Sequence, residues 1–386
     1  MERLALYGGT PVIERINTQI NKYGIEEENA VRNVIRKGEI SVFRGGEYVN
    51  KFERLFAEYM SADNAITTTS GTTALHTSLA ALDLPAGSEV AVPPLTFVST
   101  VSVVLQQGLK PVFIDIDENY CLSVDDLKNK ITDKMKAVIP VHIYGHPANM
   151  IEIMKVAKEH NLFVIEDACQ AHGAKIGNKK VGTFGDLGCF SFFETKNMTC
   201  GEGGMITTNS RNLYQKVKLK KEHGSPVNSD TWYSYQELGY NYSMTELQAA
   251  IGIEQLKKLD LNNKVRKKNA ELYKKVLENL PLSFQKERED VTCVYHNLPV
   301  LLPKELSSKR DLFVKALKAE GVPVDIAYPQ PLYKTELFRN LGYDLFLTNV
   351  EDVTSRLFTL FTDSSLSEEL INKIGEAVDK VLRYIW

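Results

Sequence analysis

The chain is short of every feature that would direct it to a membrane, a disulfide scaffold or nucleic acid. Of 386 residues only five are cysteine, at positions 121, 169, 189, 200 and 293. None forms a C-x-x-C pair, so a zinc site lacks its usual ligand spacing, and the odd count argues against a secreted disulfide framework. Reduced thiols and no metal are expected. The formal net charge is −3 and there is no basic tail, which gives nucleic acid or an acidic membrane nothing to hold. The basic stretches Lys216 to Lys221 and Lys264 to Lys268 read as solvated helix faces. No uncharged apolar run reaches the roughly 18 residues of a membrane span, and the N-terminus has no apolar stretch of the kind that signals secretion. A cytoplasmic location is therefore expected. Repeats, low-complexity tracts and a G-x-G-x-x-G fingerprint are also missing, and the last absence counts against a nicotinamide enzyme.

Among what is present, the run Cys189-Phe-Ser-Phe-Phe-Glu-Thr-Lys196, followed by a turn ending Gly-Glu-Gly-Gly204, carries most chemistry. A lysine closing an apolar segment loses hydration, which lowers its pKa and makes it a usable nucleophile for a Schiff base. Upstream, Leu162-Phe-Val-Ile-Glu-Asp167 ends in a carboxylate, followed by Ala168-Cys-Gln-Ala-His-Gly173. A lysine imine with an acidic partner for a pyridinium nitrogen is what pyridoxal 5'-phosphate requires of a protein. Singly, a lysine is usually solvated and a strand-ending Asp is usually a turn former.

A third element decides between these readings. In Thr67-Thr-Thr-Ser70-Gly71-Thr72-Thr73-Ala74, residues 65 to 69 read as a strand. Ala74, Leu75, Ser78, Leu79 and Leu82 share a face of a helix beginning near Thr72. Gly71, Thr72 and Thr73 then form a phosphate cup of free N–H groups and hydroxyls at a helix N-terminus. An ordinary Ser/Thr cap is the plainer alternative. Cys169, beside Asp167, reads as a packing thiol rather than a catalytic one.

Cup, acid and lysine, in that order, resemble the DegT-type sugar aminotransferases, a branch of the aspartate aminotransferase fold (fold type I). The resemblance runs from Leu4-Ala-Leu-Tyr-Gly-Gly-Thr-Pro-Val12 to the C-terminal helix. It is carried by Thr69 to Leu75, Val92-Pro-Pro-Leu-Thr-Phe97, Pro140 to Gly145, Glu166 to Gly173, the lysine segment, and Leu238-Gly-Tyr-Asn241-Tyr-Ser-Met-Thr-Glu-Leu-Gln-Ala-Ala250. It implies an enzyme that carries pyridoxal phosphate on Lys196, with Asp167 against the ring nitrogen. It also implies Gln170 near the cofactor's phenolic oxygen, Phe97 stacked on the ring, Ser191 on the phosphate, and Asn241 reaching the phosphate in a neighbouring subunit of a homodimer with shared sites. The implied reaction moves an amino group from an amino-acid donor, glutamate or glutamine, to a keto-sugar acceptor, a nucleotide-linked keto-deoxysugar foremost. A ketocyclitol or ketose aminotransferase, a pyridoxamine-dependent sugar dehydratase and a non-catalytic regulatory protein that binds the cofactor are the alternatives. The dehydratase relatives replace the lysine by histidine, so Lys196 argues against that one.

From residue 64 to 208, apolar strand candidates (89 to 92, 111 to 116, 137 to 141, 162 to 165, 189 to 193 and 205 to 208) alternate with helices such as 150 to 160. This βα alternation predicts an α/β fold: a mainly parallel central sheet sandwiched by helices, plus a smaller α+β C-terminal domain. The expected division is an N-terminal segment (1 to 35) packing with the small domain, a large cofactor domain (36 to 254) and a small domain (255 to 386). Within the latter, 293 to 302 and 322 to 327 read as strands, 310 to 321 as a helix, and a final helix starts at Ser367. Ser243-Met-Thr-Glu246 reads as a capping box opening a long helix. Most relatives carry arginine where Ser243 stands, and Arg44, in Val42-Phe-Arg-Gly-Gly46, is a candidate replacement for substrate binding. Tyr333, where many nucleotide-sugar members have histidine, is a second substrate candidate, with packing as its plainer role.

Overall fold

A computed structural model describes residues 3–14, 22–43, 45–226 and 233–386. The expected substrate residue Arg44 therefore lies outside the described residues. In chain order the strands are β1 (Asn64–Thr68), β2 (Glu89–Val92), β3 (Lys110–Phe113), β4 (Met135–Val138), β5 (Phe163–Asp167), β6 (Lys175–Ile176), β7 (Lys179–Lys180), β8 (Leu187–Ser191), β9 (Gly204–Thr208), β10 (Ser283–Phe284), β11 (Val291–Thr292), β12 (Leu298–Leu301), β13 (Val324–Asp325) and β14 (Leu357–Leu360). The central sheet runs β1-β9-β8-β5-β4-β2-β3. Its strands are parallel except β9, which pairs antiparallel with both neighbours. These seven are the strands read from the sequence, with ends displaced by at most three residues. Their near-continuous burial, complete along β2, β8 and β9, is what a sheet covered on both faces requires.

The register sets the site. Asp167 of β5 pairs with Cys189 of β8, Ser191 closes β8 opposite Gly204, and Thr68 closes β1 opposite the same glycine. The carboxyl ends of β1, β5 and β8 thus lie side by side, where ligands gather in open α/β sheets. Beneath Asp167, the fully buried Glu166 accepts from the N–H groups of Gly182, Phe184 and Gly185 at 2.7, 2.6 and 2.8 Å, and pairs with His142 Nε2 at 3.0 Å. Ala148 N–H donates to His142 Nδ1 at 3.0 Å, so the ring proton sits on Nε2 and points at the carboxylate. A buried carboxylate satisfied this fully anchors the strand end that presents Asp167.

A second core is built on the antiparallel sheet β10-β12-β14-β13, the helix Arg310–Ala319 and the terminal helix Glu368–Ile385, capped by Ser367 as expected. Leu4 and Ile13 join this core. Residues 293 to 302 are not one strand. Tyr295 adopts φ +45°, and the chain breaks there between β11, which pairs with β6, and β12, which joins the second sheet. The long helix spans Glu246–Val276, and its capping box is Thr245 with Gln248, not Ser243 with Glu246. Glu246 is claimed elsewhere: its carboxylate accepts from the N–H groups of Gly46, Tyr48 and Val49 at 3.1, 2.8 and 3.1 Å, capping the helix Glu47–Met60. Among the described residues, no helix is long and apolar enough to cross a membrane.

Candidate active site

The helix Gly71–Ala80 starts where β1 ends, and Ser70 caps it by accepting from Thr73 N–H at 3.1 Å. The cap and the cup coexist. Gly71 and Thr72 line a cavity of about 560 Å³, and first-turn N–H groups have no partner within their own helix. Glycine is required at 71 for space: an added Cβ would fall 2.7 Å from Ser191 Cβ and 2.8 Å from Cys169 Sγ. The Thr72 hydroxyl lies 2.6 Å from that of Ser99 at the cavity wall. Thr73 is not brought to the cavity, because its hydroxyl bonds the Ser70 N–H and carbonyl, each at 2.9 Å.

Asp167, Gln170, Ser191, Phe97 and Lys196 all face this cavity. The Asp167 carboxylate is buried and held from two sides, by the Thr100 hydroxyl at 2.8 Å and the Cys169 N–H at 3.2 Å. Thr96 lies 2.8 Å behind Thr100, completing a relay of hydroxyls. Gln170 accepts the Tyr144 N–H at 2.8 Å and donates to Tyr328 Oη at 2.9 Å. Burial pushes the Tyr328 phenol up, so it keeps its proton. Ser191 Oγ accepts the Phe193 N–H at 3.3 Å. Phe97 is 60% exposed, a large aromatic face left open at the cavity.

Lys196 is half-buried, and desolvation lowers its ammonium below the usual lysine range, against the opposing pull of Cys169 and Asp167. Burial raises the Cys169 thiol well above its ordinary value, so at neutral pH it is uncharged and only the Asp167 charge acts on the lysine. Burial also presses His172 down to about 3 and His296 well below the usual range, with Lys196 adding to both. Both imidazoles are therefore neutral. His296 faces the cavity, and its Nδ1 has no hydrogen-bond partner among the described residues.

Two expected residues lie elsewhere. Tyr333 is buried against Phe113, with ring centroids 5.6 Å apart; its hydroxyl donates to Glu351 at 2.9 Å and accepts the Leu347 N–H at 3.1 Å. Its role is packing. Asn241 is exposed and does not line its own subunit's cavity. Its neighbours Tyr240 and Tyr242 stack 5.0 Å apart and lean on His76 of the cup helix, which lies 3.0 Å from Tyr242 Oη. Ser243, in place of arginine, donates to Glu222 at 3.1 Å. Thr100, Tyr328 and His296 were not singled out from the sequence. Tyr328 and His296 reach the cavity from distant segments, and Thr100, three residues after Phe97, carries no local pattern that marks it.

The chemistry of the donors decides what the cavity can hold. A helix N-terminus with hydroxyls and no Cβ suits a phosphate ester, a fixed carboxylate suits a protonated ring nitrogen, and a lysine of lowered pKa suits a carbonyl carbon. Pyridoxal 5'-phosphate carries all three complements, so the residues present fit it. With a sheet reversed only at β9, they define a pyridoxal-phosphate enzyme of fold type I. Comparison with known proteins agrees. The chain is 37% identical to a GDP-perosamine synthase of Caulobacter vibrioides, over 87% of this chain and 91% of the relative. It is also 37% identical to a UDP-N-acetyl-3-dehydro-alpha-D-glucosamine 3-aminotransferase of Acidithiobacillus ferrooxidans, over 81% and 83%. Among solved structures, the Helicobacter pylori aminotransferase PseC, involved in pseudaminic acid biosynthesis, superposes with a TM-score of 0.89 at 26% identity, over 94% of this chain and 97% of that one. The chain belongs to the DegT/DnrJ/EryC1/StrS aminotransferase family, matched over residues 21–379. It is a pyridoxal-phosphate-dependent aminotransferase.

Proposed function

We propose that this enzyme transfers an amino group from glutamate or glutamine to the keto group of a nucleotide-linked keto-deoxysugar. The observation that supports this most is the cavity wall beyond the cofactor residues, where Ser99, His296 and Asn297 offer hydroxyl, imidazole and amide groups. Such a wall matches a polyhydroxylated acceptor rather than an apolar keto acid. Two relatives whose names specify nucleotide sugars point the same way.

In this reading Asp167 would hold the protonated ring nitrogen, its carboxylate aimed by the Thr100 hydroxyl and the Cys169 N–H. Bound pyridoxal phosphate supplies an electron-withdrawing ring that stabilises negative charge at the donor Cα. Gln170 and Tyr328 would meet the ring's phenolic oxygen, and Phe97 would cover a ring face. Gly71, Thr72 and Ser191 would hold the phosphate. Lys196 Nζ, whose pKa desolvation lowers, would take the proton from the donor Cα and return it on the acceptor side.

The active unit we infer is a homodimer in which Asn241 completes the partner's phosphate site. Its exposure and its distance from its own cavity support this, as does the anchoring of its tyrosine neighbours on His76. Mixing Lys196→Ala subunits with subunits impaired at Asn241 should restore activity, because one site of each mixed dimer is then intact. Verified exchange without recovery would remove Asn241 from the shared site.

The acceptor is tested by treating the enzyme with glutamate and then offering GDP- and UDP-linked keto sugars alongside a ketocyclitol. Return of the pyridoxal absorption with a nucleotide sugar is expected. Return with the ketocyclitol alone would refute the nucleotide-sugar reading.

A further inference from the structure

The segment that carries Asn241 is held by three others that meet outside the cavity. Tyr240, Asn241 and Tyr242 lie extended beside the end of the helix Arg211–Lys221. Tyr240 N–H donates to the Lys220 carbonyl at 2.6 Å, His223 N–H to the Tyr240 carbonyl at 2.7 Å and Tyr242 N–H to the Lys221 carbonyl at 3.2 Å, and Asn241 bridges to Glu222. Alternate side chains of an extended segment share a face. The two tyrosines therefore lie on one side, their rings stacked 5.0 Å apart with 13° between the planes, and Asn241 is turned to the other, where it is exposed.

Both tyrosines are tied to helices that begin at the cavity. His76 is buried on the helix Gly71–Ala80, its ring 4.7 Å from that of Tyr240 and its Nδ1 3.0 Å from Tyr242 Oη. Gln107, at the C-terminal cap of the helix Ser99–Gln106, places Nε2 2.6 Å from His76 Nε2 and 2.7 Å from Tyr240 Oη. An amide nitrogen only donates, so His76 Nε2 accepts, and the ring proton sits on Nδ1 and is given to Tyr242. Burial lowers His76 below its ordinary range, which keeps the ring in this neutral form at neutral pH. One imidazole and one amide thus engage both phenols. Neither His76 nor Gln107 lines the cavity, whereas Gly71, Thr72, Ser99 and Thr100, at the starts of their helices, all do. A helix face can be filled at lower cost by apolar side chains, and a satisfied polar network fixes one geometry instead.

We propose that His76 and Gln107 are positioning residues for the partner's phosphate site: through the two tyrosines, each subunit's cup helix aims Asn241 at the cup of the other subunit. The inference rests on the shared-site reading of Asn241 and adds to it the brace that sets the direction of that side chain.

Lysine-linked cofactor, fixed by borohydride, is measured against cofactor concentration in full-length protein shown to be dimeric by sedimentation. In His76→Leu and in Gln107→Leu, half-saturation with pyridoxal phosphate should rise by about tenfold, the worth of one hydrogen bond to a charged group. Half-saturation with pyridoxal, which has no phosphate, should change little. Gln107→Leu leaves the cup helix unaltered, which guards against reading a folding defect at 76 as a positioning one. His76→Asn, which keeps a donor near the Nδ1 position, should stay within about threefold of wild type. The direction of action is read by subunit exchange. When equal amounts of His76→Leu and Lys196→Ala subunits exchange at random, about half of the chains that retain Lys196 enter mixed dimers. Their Asn241 then comes from the chain with intact His76, and these sites should regain wild-type half-saturation. Unaltered half-saturation in both leucine variants, an equal rise with pyridoxal, or mixed dimers as weak as the His76→Leu parent would each overturn the proposal, the last by showing that His76 acts on its own cup. Asn241→Ala, run in parallel, separates the two levels. Wild-type half-saturation in that variant would strike the shared-site reading itself, whereas rescue of Asn241→Ala by exchange without rescue of His76→Leu would strike the brace alone.

Discussion

Replacing Thr100 by valine tests the site at a residue that acts through Asp167. Valine keeps the shape of threonine and removes one hydroxyl, which in the native protein donates to Asp167 at 2.8 Å. Thr100 is fully buried and Asp167 nearly so, so water cannot replace the bond without opening the site. A hydrogen bond to a charged group is worth about 1.5–3 kcal/mol. Part of that acts equally on the resting and reacting states, so the half-reaction with glutamate should slow by about 5- to 30-fold rather than by the full amount. The remainder should appear as weaker retention of cofactor. Thr96, 1% exposed, loses its partner as well, and a buried unsatisfied hydroxyl costs a further ~1–3 kcal/mol of folding stability. Stopped-flow absorbance at saturating glutamate reads the rate, and thermal denaturation of the same sample reads the stability. Thr100→Ser, which restores the donor, should return the rate to within about threefold of wild type. A valine variant indistinguishable from wild type in rate and retention would refute the positioning role, and a serine variant as slow as valine would assign the effect to the lost methyl.

Three further outcomes are expected. Asp167→Asn should retain cofactor yet lose orders of magnitude in the glutamate half-reaction, because the carboxylate acts mainly on charge developed in the transition state; a near-normal rate would exclude it as the ring-nitrogen partner. In cofactor-free protein Lys196→Met should be more stable than wild type at neutral pH. The folded-state pKa of Lys196 lies below its ordinary 10.5, so the unfolded chain binds more protons between the two values, and wild-type stability rises with pH through that window. The advantage of the variant, followed by urea unfolding from pH 7 to 10.5, should therefore shrink as pH rises, and a constant difference would contradict the lowered pKa. Gly71→Ala should cost about 1–3 kcal/mol by overpacking against Ser191 and Cys169, seen as weaker cofactor binding in equilibrium dialysis with helix content unchanged; unaltered affinity would mean that the cup can yield.

The residues legible in the sequence were those whose position is fixed by the strand that carries them. Asp167 ends β5, Ser191 ends β8 and Lys196 follows it, so reading the strands was reading the site. Gly71 is legible for the same reason, whereas a hydroxyl at the third helical position, as at Thr73, can serve either ligand or cap, and here it bonds Ser70. The segment Ser243-Met-Thr-Glu-Leu-Gln248 contains two overlapping capping frames. Sequence alone could not choose between them, since the choice was made by Glu246 bonding the N-terminus of a helix 200 residues away. Tyr328 and His296 are not legible because each meets the cavity from a distant segment, and Thr100 because its partner Asp167 lies 67 residues on. The break at Tyr295 was hidden for a different reason, a left-handed tyrosine inside what reads as one strand.

The helix Glu246–Val276 feeds Ala249, Ile253 and Leu259 into one core and Ala270 and Tyr273 into the other. At about 1.5 Å per residue it is a rod of roughly 46 Å, and it crosses the 254/255 position without a break. Chimaeras that recombine this enzyme with a relative to exchange acceptor preference should therefore join before Thr245 or after Leu277, where the rod ends. A junction at 254/255 would cut through it and sever two cores at once. The same rod leaves no joint between the cores along its length, so any opening of the cleft must be carried by the connections that cross it, such as the segment holding Tyr328 against Gln170.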